Sequence, residues 1–118
     1  MILVDTSIWV DHLRSGDDRL REILERGEVL VHPAVIGELA CGNLARRDEI
    51  LAWLQALPRA VAASDDEALA TVEMHRLHGL GLGWIDVHLL ASALLTRCPL
   101  LARDAALAAA AARLGVGA

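Results

Sequence analysis

Short apolar runs alternate with longer stretches of helical spacing along this chain of 118 residues. Each short run has the length and composition of a strand buried on both faces. The predicted strands cover residues 1–5, 29–32, 99–102 and, more weakly, 59–63, with a possible last edge strand at 115–116. Between them, apolar residues recur every three or four positions, which is typical of helices with one buried face.

Capping residues mark the ends of the predicted helices. Asp, Ser and Pro are favoured at the first positions of a helix, and Gly and Pro interrupt one. Helices are therefore predicted to begin at about Thr6, Asp17, Pro33, Ser64, Trp84 and Asp104. A further helix around residues 50–57 ends before Pro58, and Gly79, Gly81 and Gly83 separate two helices.

Strands that alternate with helices at this spacing predict an α/β fold with a central, mostly parallel sheet of four or five strands. The chain has no repeat, linker or low-complexity tail, so residues 1–118 are expected to form one domain. Ligands of such folds bind beyond the carboxyl ends of the strands. Asp5 and Asp104 follow two of these ends directly.

Composition narrows the functional classes. No apolar run approaches the roughly 20 residues that span a bilayer, and no secretory signal opens the chain, so a cytoplasmic location without a membrane is expected. The net charge of −5 argues against broad attraction to nucleic acid, and the absence of lysine excludes any mechanism that needs its amine. Cys41 and Cys98 are expected to be small buried hydrophobic residues.

Four carboxylates stand alone in apolar stretches. They are Asp5 in residues 1–10, Glu38 in 29–45, Asp86 in 77–96 and Asp104 in 98–112. A carboxylate in apolar surroundings costs several kcal/mol unless hydrogen-bond donors, a cation or a metal ion compensate it. Asp5 and Asp104 could be ordinary N-caps, and Asp86 could simply favour a helix start. Glu38 has no local partner of opposite charge, which makes a purely structural role harder to assign.

Convergence on one site is the simpler interpretation of all four acids. Pairs of carboxylates about 4 Å apart repel by roughly 4 kcal/mol at an effective dielectric of about 20, so a shared pocket needs a compensating cation. Oxygen ligands with open positions suit Mg²⁺, with Mn²⁺ as an alternative. Such a site supports phosphodiester cleavage by a metal-activated water.

A resemblance is carried by four stretches, ILVDTSIWVDHLR, VIGELACG, GLGWIDVHLLASALL and LLARDAAL. In these, across nearly the whole chain, the sequence resembles PIN-domain proteins and most closely the VapC ribonuclease toxins of type II toxin–antitoxin pairs. The resemblance implies a three-layer α/β/α fold, a homodimer, an RNA substrate and a small antitoxin partner. It places the catalytic and metal-binding acids at Asp5, Glu38, Asp86 and Asp104.

One position departs from the family pattern. Ala102 stands where Thr or Ser commonly precedes the last acid by two residues, so a supporting hydroxyl is lost, although Thr6 and Ser7 remain beside Asp5. The first hypothesis is a Mg²⁺-dependent endoribonuclease. The alternative is a weak or inactive PIN-like domain that binds RNA or a protein. A phosphotransfer domain is set aside, because Ser7 replaces a needed acid and lysine is absent.

Three further features of the sequence are candidates for minor roles beside the acids. Trp84, two residues before Asp86, is the best candidate for stacking on a base, although packing is the commoner role of Trp. Arg14, Arg46 and Arg47 could contact RNA phosphates or simply form a solvated face. His88 is expected to pack rather than bind metal with Asp86, because residues two apart on a helix point to different sides.

Overall fold

A three-stranded parallel sheet organises the chain, which a computed structural model describes over residues 1–118. The strands are β1 (Ile2–Val4), β2 (Val29–Leu30) and β3 (Leu100–Leu101), in the order β2-β1-β3. Leu3 of the central strand lies opposite Leu30 on one side and Leu100 on the other. The predicted parallel arrangement is confirmed, and both neighbours of β1 end at the same edge as β1.

Seven helices surround the sheet. They are α1 (Thr6–Ser15), α2 (Asp18–Glu25), α3 (Pro33–Cys41), α4 (Arg47–Ala56), α5 (Asp65–His75), α6 (Trp84–Thr96) and α7 (Ala105–Arg113). They contact one another in two groups, α1 to α4 and α5 to α7. Both groups pack on one parallel sheet, as in layered α/β domains. The α/β class and the layered arrangement agree with the prediction.

The predicted helix boundaries are largely confirmed, because capping is a local property. The Asp17 carboxylate accepts a hydrogen bond from the backbone N–H of Leu20 (2.8 Å) and so caps α2. Ser64 and Glu67 form a complete capping box at the start of α5, in which each side chain binds the other residue's backbone N–H.

The predicted number of strands is wrong. Residues 59–63 make only one isolated bridge, between Arg59 and Val31. Beyond it, the backbone N–H groups of Val61 and Ala63 donate to hydroxyl side chains on α6, at 2.9 and 3.1 Å, instead of to a neighbouring strand. These side-chain acceptors on α6 satisfy the backbone there, and the sheet does not extend.

The C-terminal edge strand is also missing. Gly117 forms a single bridge with Leu100, and Leu100 donates its backbone N–H to the carbonyl of Val116 (2.7 Å). A side chain at Gly117 would come within 3.1 Å of the Cα of Ala112, so this segment lies against α7 at close backbone distance. The last residues therefore touch β3 briefly without pairing along it.

One continuous hydrophobic core of 24 buried residues joins the sheet to both helix groups. Its largest completely buried members include Trp9 of α1, Leu89 and Leu90 of α6, and Leu107 of α7. No helix has the length and apolar character needed to cross a membrane. Cys98 is buried as predicted, whereas the prediction for Cys41 is wrong, because it lies exposed at the end of α3.

Candidate active site

The ends of two adjacent strands bring Asp5 and Asp104 to the same edge of the sheet. The backbone N–H of Asp5 donates to the carbonyl of Leu101 (2.9 Å), which extends the pairing of β1 and β3 to the start of the following turns. Asp5 then occupies the N-cap position of α1 and Asp104 that of α7. Parallel strands thus place the two carboxylates at the edge where α/β proteins bind ligands.

The two N-caps differ in what their side chains do. The Asp104 Oδ2 accepts a hydrogen bond from the backbone N–H of Leu107 (2.9 Å), so this carboxylate does cap α7. The Asp5 side chain makes no capping hydrogen bond, and its Oδ2 accepts instead from the Ser7 hydroxyl (2.9 Å). Helix capping therefore explains in part why an acid stands at position 104, and it does not explain the acid at position 5.

Glu38 reaches the site from α3. Its Oε1 accepts a hydrogen bond of 2.7 Å from the hydroxyl of Thr6, the first residue of α1. This contact joins two helices that are 32 positions apart in the chain, and it turns the Glu38 carboxylate toward the residue that follows Asp5. The absence of a local partner, noted in the sequence, is thus resolved by a distant hydroxyl.

Asp86 lies in the first turn of α6, where its Oδ2 accepts from the backbone N–H of Gly83 (2.9 Å). Burial raises the pKa of the Asp86 carboxyl, and the Gly83 hydrogen bond partly opposes this. The negative charges of Asp5, Asp104 and Glu38 raise the pKa of Asp86 further. The structure thus brings the other three predicted acids within electrostatic range of Asp86.

The four carboxylates share one pattern of hydrogen bonding. Each accepts a single hydrogen bond from the protein through one oxygen, and the other oxygen accepts none. The only buried polar side-chain atom without a partner is the Trp9 indole nitrogen, so the free oxygen of Asp5 is not sealed from solvent. Four anchored carboxylates with four free oxygens are a donor set that fits a hard divalent cation.

The carboxylates do not form a ready-made cage. No group of three or more His, Cys, Asp or Glu side chains is close enough to hold a metal ion as they stand. The donor types fit Mg²⁺, whereas the spacing of the side chains does not form a complete set of metal ligands.

Isolation along the sequence did not translate into uniform burial. Asp5 is 7% exposed, Asp86 is half-buried, and Glu38 and Asp104 are exposed. The expectation that all four acids lie in apolar surroundings is therefore wrong for the last two. Their side chains extend from the apolar stretches to the rim of the site, where water offsets part of the charge repulsion.

A cleft of about 410 Å³ lies between α1, α3 and the start of α4, and Glu38 is the one acid of the four that lines it. Its lining is mainly aliphatic, with Arg14 and Glu38 as the charged members. No intramolecular hydrogen bond or ion pair engages Arg14, whereas Arg46 pairs with Glu49 and Arg47 donates to backbone carbonyls. Of the three arginines considered from the sequence, Arg14 alone is free for a ligand.

The expectation for His88 matches its contacts. Its Nε2 lies 3.0 Å from an Asp65 carboxylate oxygen, and its ring meets the edge of Trp84 at a centroid distance of 4.7 Å. Trp84 keeps 45% of its surface exposed close to Asp86. The stacking role of Trp84 stays a prediction, and nothing places His88 with Asp86 as a metal ligand.

Three structural supports of the site carried little signal in the sequence. The first is the Thr6–Glu38 hydrogen bond. The second is a buried contact between His32 and the Ser92 hydroxyl (3.1 Å), which links the helix of Glu38 to that of Asp86. Burial lowers the pKa of His32. The third is the contact of Arg103 with Asp11 and Asp17. Each depends on residues that only the fold brings together, although a hydroxyl next to Asp5 was noted in the sequence.

Comparisons with known proteins agree with this geometry. The family model described as the PIN domain matches residues 2–113. Ribonuclease VapC32 of Mycobacterium tuberculosis, from strain CDC 1551 / Oshkosh and from strain ATCC 25618 / H37Rv, is 47% identical to this chain over 117 residues. The match covers 98% of this chain and 94% of the relative in both strains.

A solved structure shows the same fold at low identity. The crystal structure of PAE2754 from Pyrobaculum aerophilum superimposes with a TM-score of 0.61 and 17% identity, covering 92% of this chain and 78% of that one. At this identity the likeness supports the fold alone. The family match and the nearly full-length relatives together show that this chain belongs to the VapC family of PIN-domain ribonucleases.

Proposed function

We propose that this protein is a Mg²⁺-dependent endoribonuclease that acts as the toxin of a toxin–antitoxin pair. The observation that carries the proposal is the convergence of the four acids. Asp5 and Asp104 follow paired strands, Thr6 beside Asp5 binds Glu38, and the charges of these three acids raise the pKa of Asp86. Family membership supports ribonuclease chemistry. A function on RNA also supports the expected cytoplasmic location.

Each acid has a proposed role. Asp5, Asp86 and Asp104 would hold the cation through the oxygens that bind no protein donor. Bound Mg²⁺ lowers the pKa of water and offsets negative charge on the phosphate. Glu38 is exposed, has the longest side chain of the four and keeps one oxygen free, and it is proposed to orient the attacking water and accept its proton.

The substrate would approach along the cleft that begins at Glu38. A phosphodiester held at the acids needs a path for the flanking nucleotides, and this cleft is adjacent to them. Its aliphatic walls can contact a base, and the free guanidinium of Arg14 can bind a phosphate. Mn²⁺ is proposed to replace Mg²⁺, since both accept carboxylate and phosphate oxygens.

The test is cleavage of RNA by the wild type and by Asp5→Asn. The variant removes one of the anionic oxygens and is expected to lower cleavage at least a hundredfold in Mg²⁺, whereas EDTA abolishes cleavage by the wild type. Glu73→Gln, which neutralises an exposed acid on α5 that forms no intramolecular hydrogen bond or ion pair, is the matched control and should cleave normally. Equal cleavage by Asp5→Asn and the wild type contradicts the proposal.

A second candidate is a domain that binds RNA or a protein without cutting. Ala102 favours it, because this residue packs against the core and supplies no hydroxyl near Asp104. Retained RNA binding with no cleavage in either Mg²⁺ or Mn²⁺ would favour this alternative. Cleavage gained by Ala102→Thr would show that the missing hydroxyl is the cause.

Two partners complete the proposal. A cognate antitoxin is expected to block the site, and the aliphatic cleft beside Glu38 supports this because it can hold apolar side chains next to the acids. Inhibition of cleavage by the co-expressed antitoxin tests it.

A homodimer is proposed from the family, and exposed apolar residues such as Leu69 and Met74 of α5 are consistent with it. The mass in solution decides between dimer and monomer.

A further inference from the structure

Arg103, the residue directly before Asp104, forms hydrogen bonds with two carboxylates that are distant in the sequence. Its Nη1 donates to Asp11 Oδ2 of α1, and its Nη2 donates to Asp17 Oδ2 at 3.0 Å. These partners are 92 and 86 positions away in the chain. The guanidinium thus joins the turn after β3 to the end of α1 and the start of α2.

Asp17, one of the two partners of Arg103, is itself held by further hydrogen bonds. The second oxygen of Asp17 caps α2 through the N–H of Leu20 (2.8 Å), and the backbone N–H of Asp17 donates to Nδ1 of His12 (3.1 Å). The Asp17 side chain is only 17% exposed. A forked guanidinium that grips two carboxylates fixes both position and orientation, which a single point charge cannot do.

Arg103 is the side chain that ties this turn to α1 and to the start of α2. Ala102 offers no hydrogen-bonding group, so the contacts of Arg103 are the only side-chain hydrogen bonds made by the two residues between β3 and Asp104. Asp104 has one oxygen bound to the N–H of Leu107, and its other oxygen accepts no hydrogen bond. The direction of that free oxygen therefore depends on this cap and on the backbone of the turn, which Arg103 ties to Asp11 and Asp17.

We propose that Arg103 is a positioning residue, whose grip on Asp11 and Asp17 orients the Asp104 carboxylate toward the other three acids. This inference rests on the proposed metal-dependent cleavage and assigns the support that a hydroxyl at position 102 would otherwise provide. Groups that orient a metal ligand commonly change metal affinity or activity by about 10- to 100-fold when they are removed.

The experiment compares Arg103→Gln, Arg103→Lys and Asp11→Asn in the full chain. Arg103→Gln is expected to lower kcat about tenfold while KM for a short RNA stays within about twofold, and to weaken Mn²⁺ binding about tenfold. Hydrogen exchange of the Leu107 amide should become faster, because the cap at Asp104 loosens. Arg103→Lys, with one contact left, should fall between Arg103→Gln and the wild type.

A double variant of Arg103 and Asp11 distinguishes a positioning role of Arg103 from a simple loss of its charge. Adding Asp11→Asn to Arg103→Gln should cause no further loss in kcat or Mn²⁺ affinity, because the contact is already gone. Arg26→Gln, which breaks an exposed ion pair with Glu22 on α2, is the matched control and should leave all readouts unchanged.

Two results would contradict the positioning role of Arg103. If Arg103→Gln raises KM while kcat, Mn²⁺ affinity and Leu107 exchange are unchanged, Arg103 binds RNA directly. If Mn²⁺ affinity and Leu107 exchange of both Arg103 variants equal those of the wild type, Arg103 does not position Asp104. Absence of cleavage by the wild type itself refutes the proposed function, and the Mn²⁺ and exchange measurements still decide the role of Arg103.

Discussion

At the scale of single residues, the carboxylates of the site repel one another, and each is held by only one hydrogen bond from the protein. Asp86 is affected most, because it is half-buried and close to the charges of Asp5, Glu38 and Asp104. Its hydrogen bond to Gly83 offsets only part of this effect. The metal-free protein therefore carries an acid whose pKa lies above that of an ordinary aspartate, as is common where carboxylates are gathered for catalysis.

Stability without metal should thus depend on Asp86 in a defined direction. The pKa of Asp86 is raised on folding above its ordinary value of 3.8, so the folded state holds more protons than the unfolded state between the two pKa values. The contribution of Asp86 to the free energy of unfolding is greatest below 3.8 and is lost as the pH rises through the folded pKa.

Asp86→Asn should remove this dependence, since an amide does not titrate. In EDTA, the variant is expected to be as stable as the wild type at low pH and more stable at neutral pH. Urea unfolding across the pH range measures both proteins. A difference in the free energy of unfolding that is the same at every pH would contradict the assignment.

At the scale of elements, helix starts and helix contacts assemble the site. The helices α1, α6 and α7 begin at or next to Asp5, Asp86 and Asp104. The partial positive charge at the start of a helix favours a nearby carboxylate by roughly 0.3–1 kcal/mol. Glu38 is the exception, because it lies inside α3 and depends on a contact with α1 instead.

The contact between α1 and α3 should therefore matter for catalysis. Thr6→Val keeps the shape of the side chain and removes the hydroxyl that binds Glu38. It is expected to lower the single-turnover cleavage rate about three- to tenfold, equivalent to roughly 0.6–1.4 kcal/mol. Thr6→Ser keeps the hydroxyl and should retain most of the rate. Equal losses in both variants would show that the methyl group, rather than the hydrogen bond, is important.

At the scale of the whole molecule, a net charge of −5 must be reconciled with an RNA substrate. Several arginines are already engaged within the protein, such as Arg103 with Asp11 and Asp17, and Arg47 with backbone carbonyls. These arginines contribute less to the release of counterions from RNA. Binding should consequently be weak away from the acids and should rely on local contacts and a cation.

Arg14 is the cation best placed to provide such a contact. Arg14→Gln is expected to raise KM for a short RNA about three- to tenfold with little change in kcat, and to reduce the slope of log affinity against log salt by about one. Arg19→Gln, which changes another exposed and unpaired arginine outside the cleft, is the control. An equal rise of KM in both variants would indicate a general charge effect and no specific role for the cleft.

Local chemistry allowed much of this molecule to be predicted from sequence. Capping residues and apolar spacing predicted α6 over Trp84–Thr96 and the start of α1 at Thr6, because both depend on residues within one or two turns. The four acids also stand out in the sequence, because each is the only carboxylate in its apolar stretch. The prediction for residues 59–63 failed, since the choice between strand and loop there depends on hydroxyl groups of α6.

The sequence by itself determined the order of the elements, the helix boundaries and the identity of the four acids, because these follow from short-range spacing and capping. Only the tertiary structure decided which acids are buried, how many strands pair, and which side chains support the site. The Thr6–Glu38 and Arg103–Asp11 contacts join residues 32 and 92 positions apart. Such contacts arise when packing of the core brings distant segments together, and no local pattern encodes them.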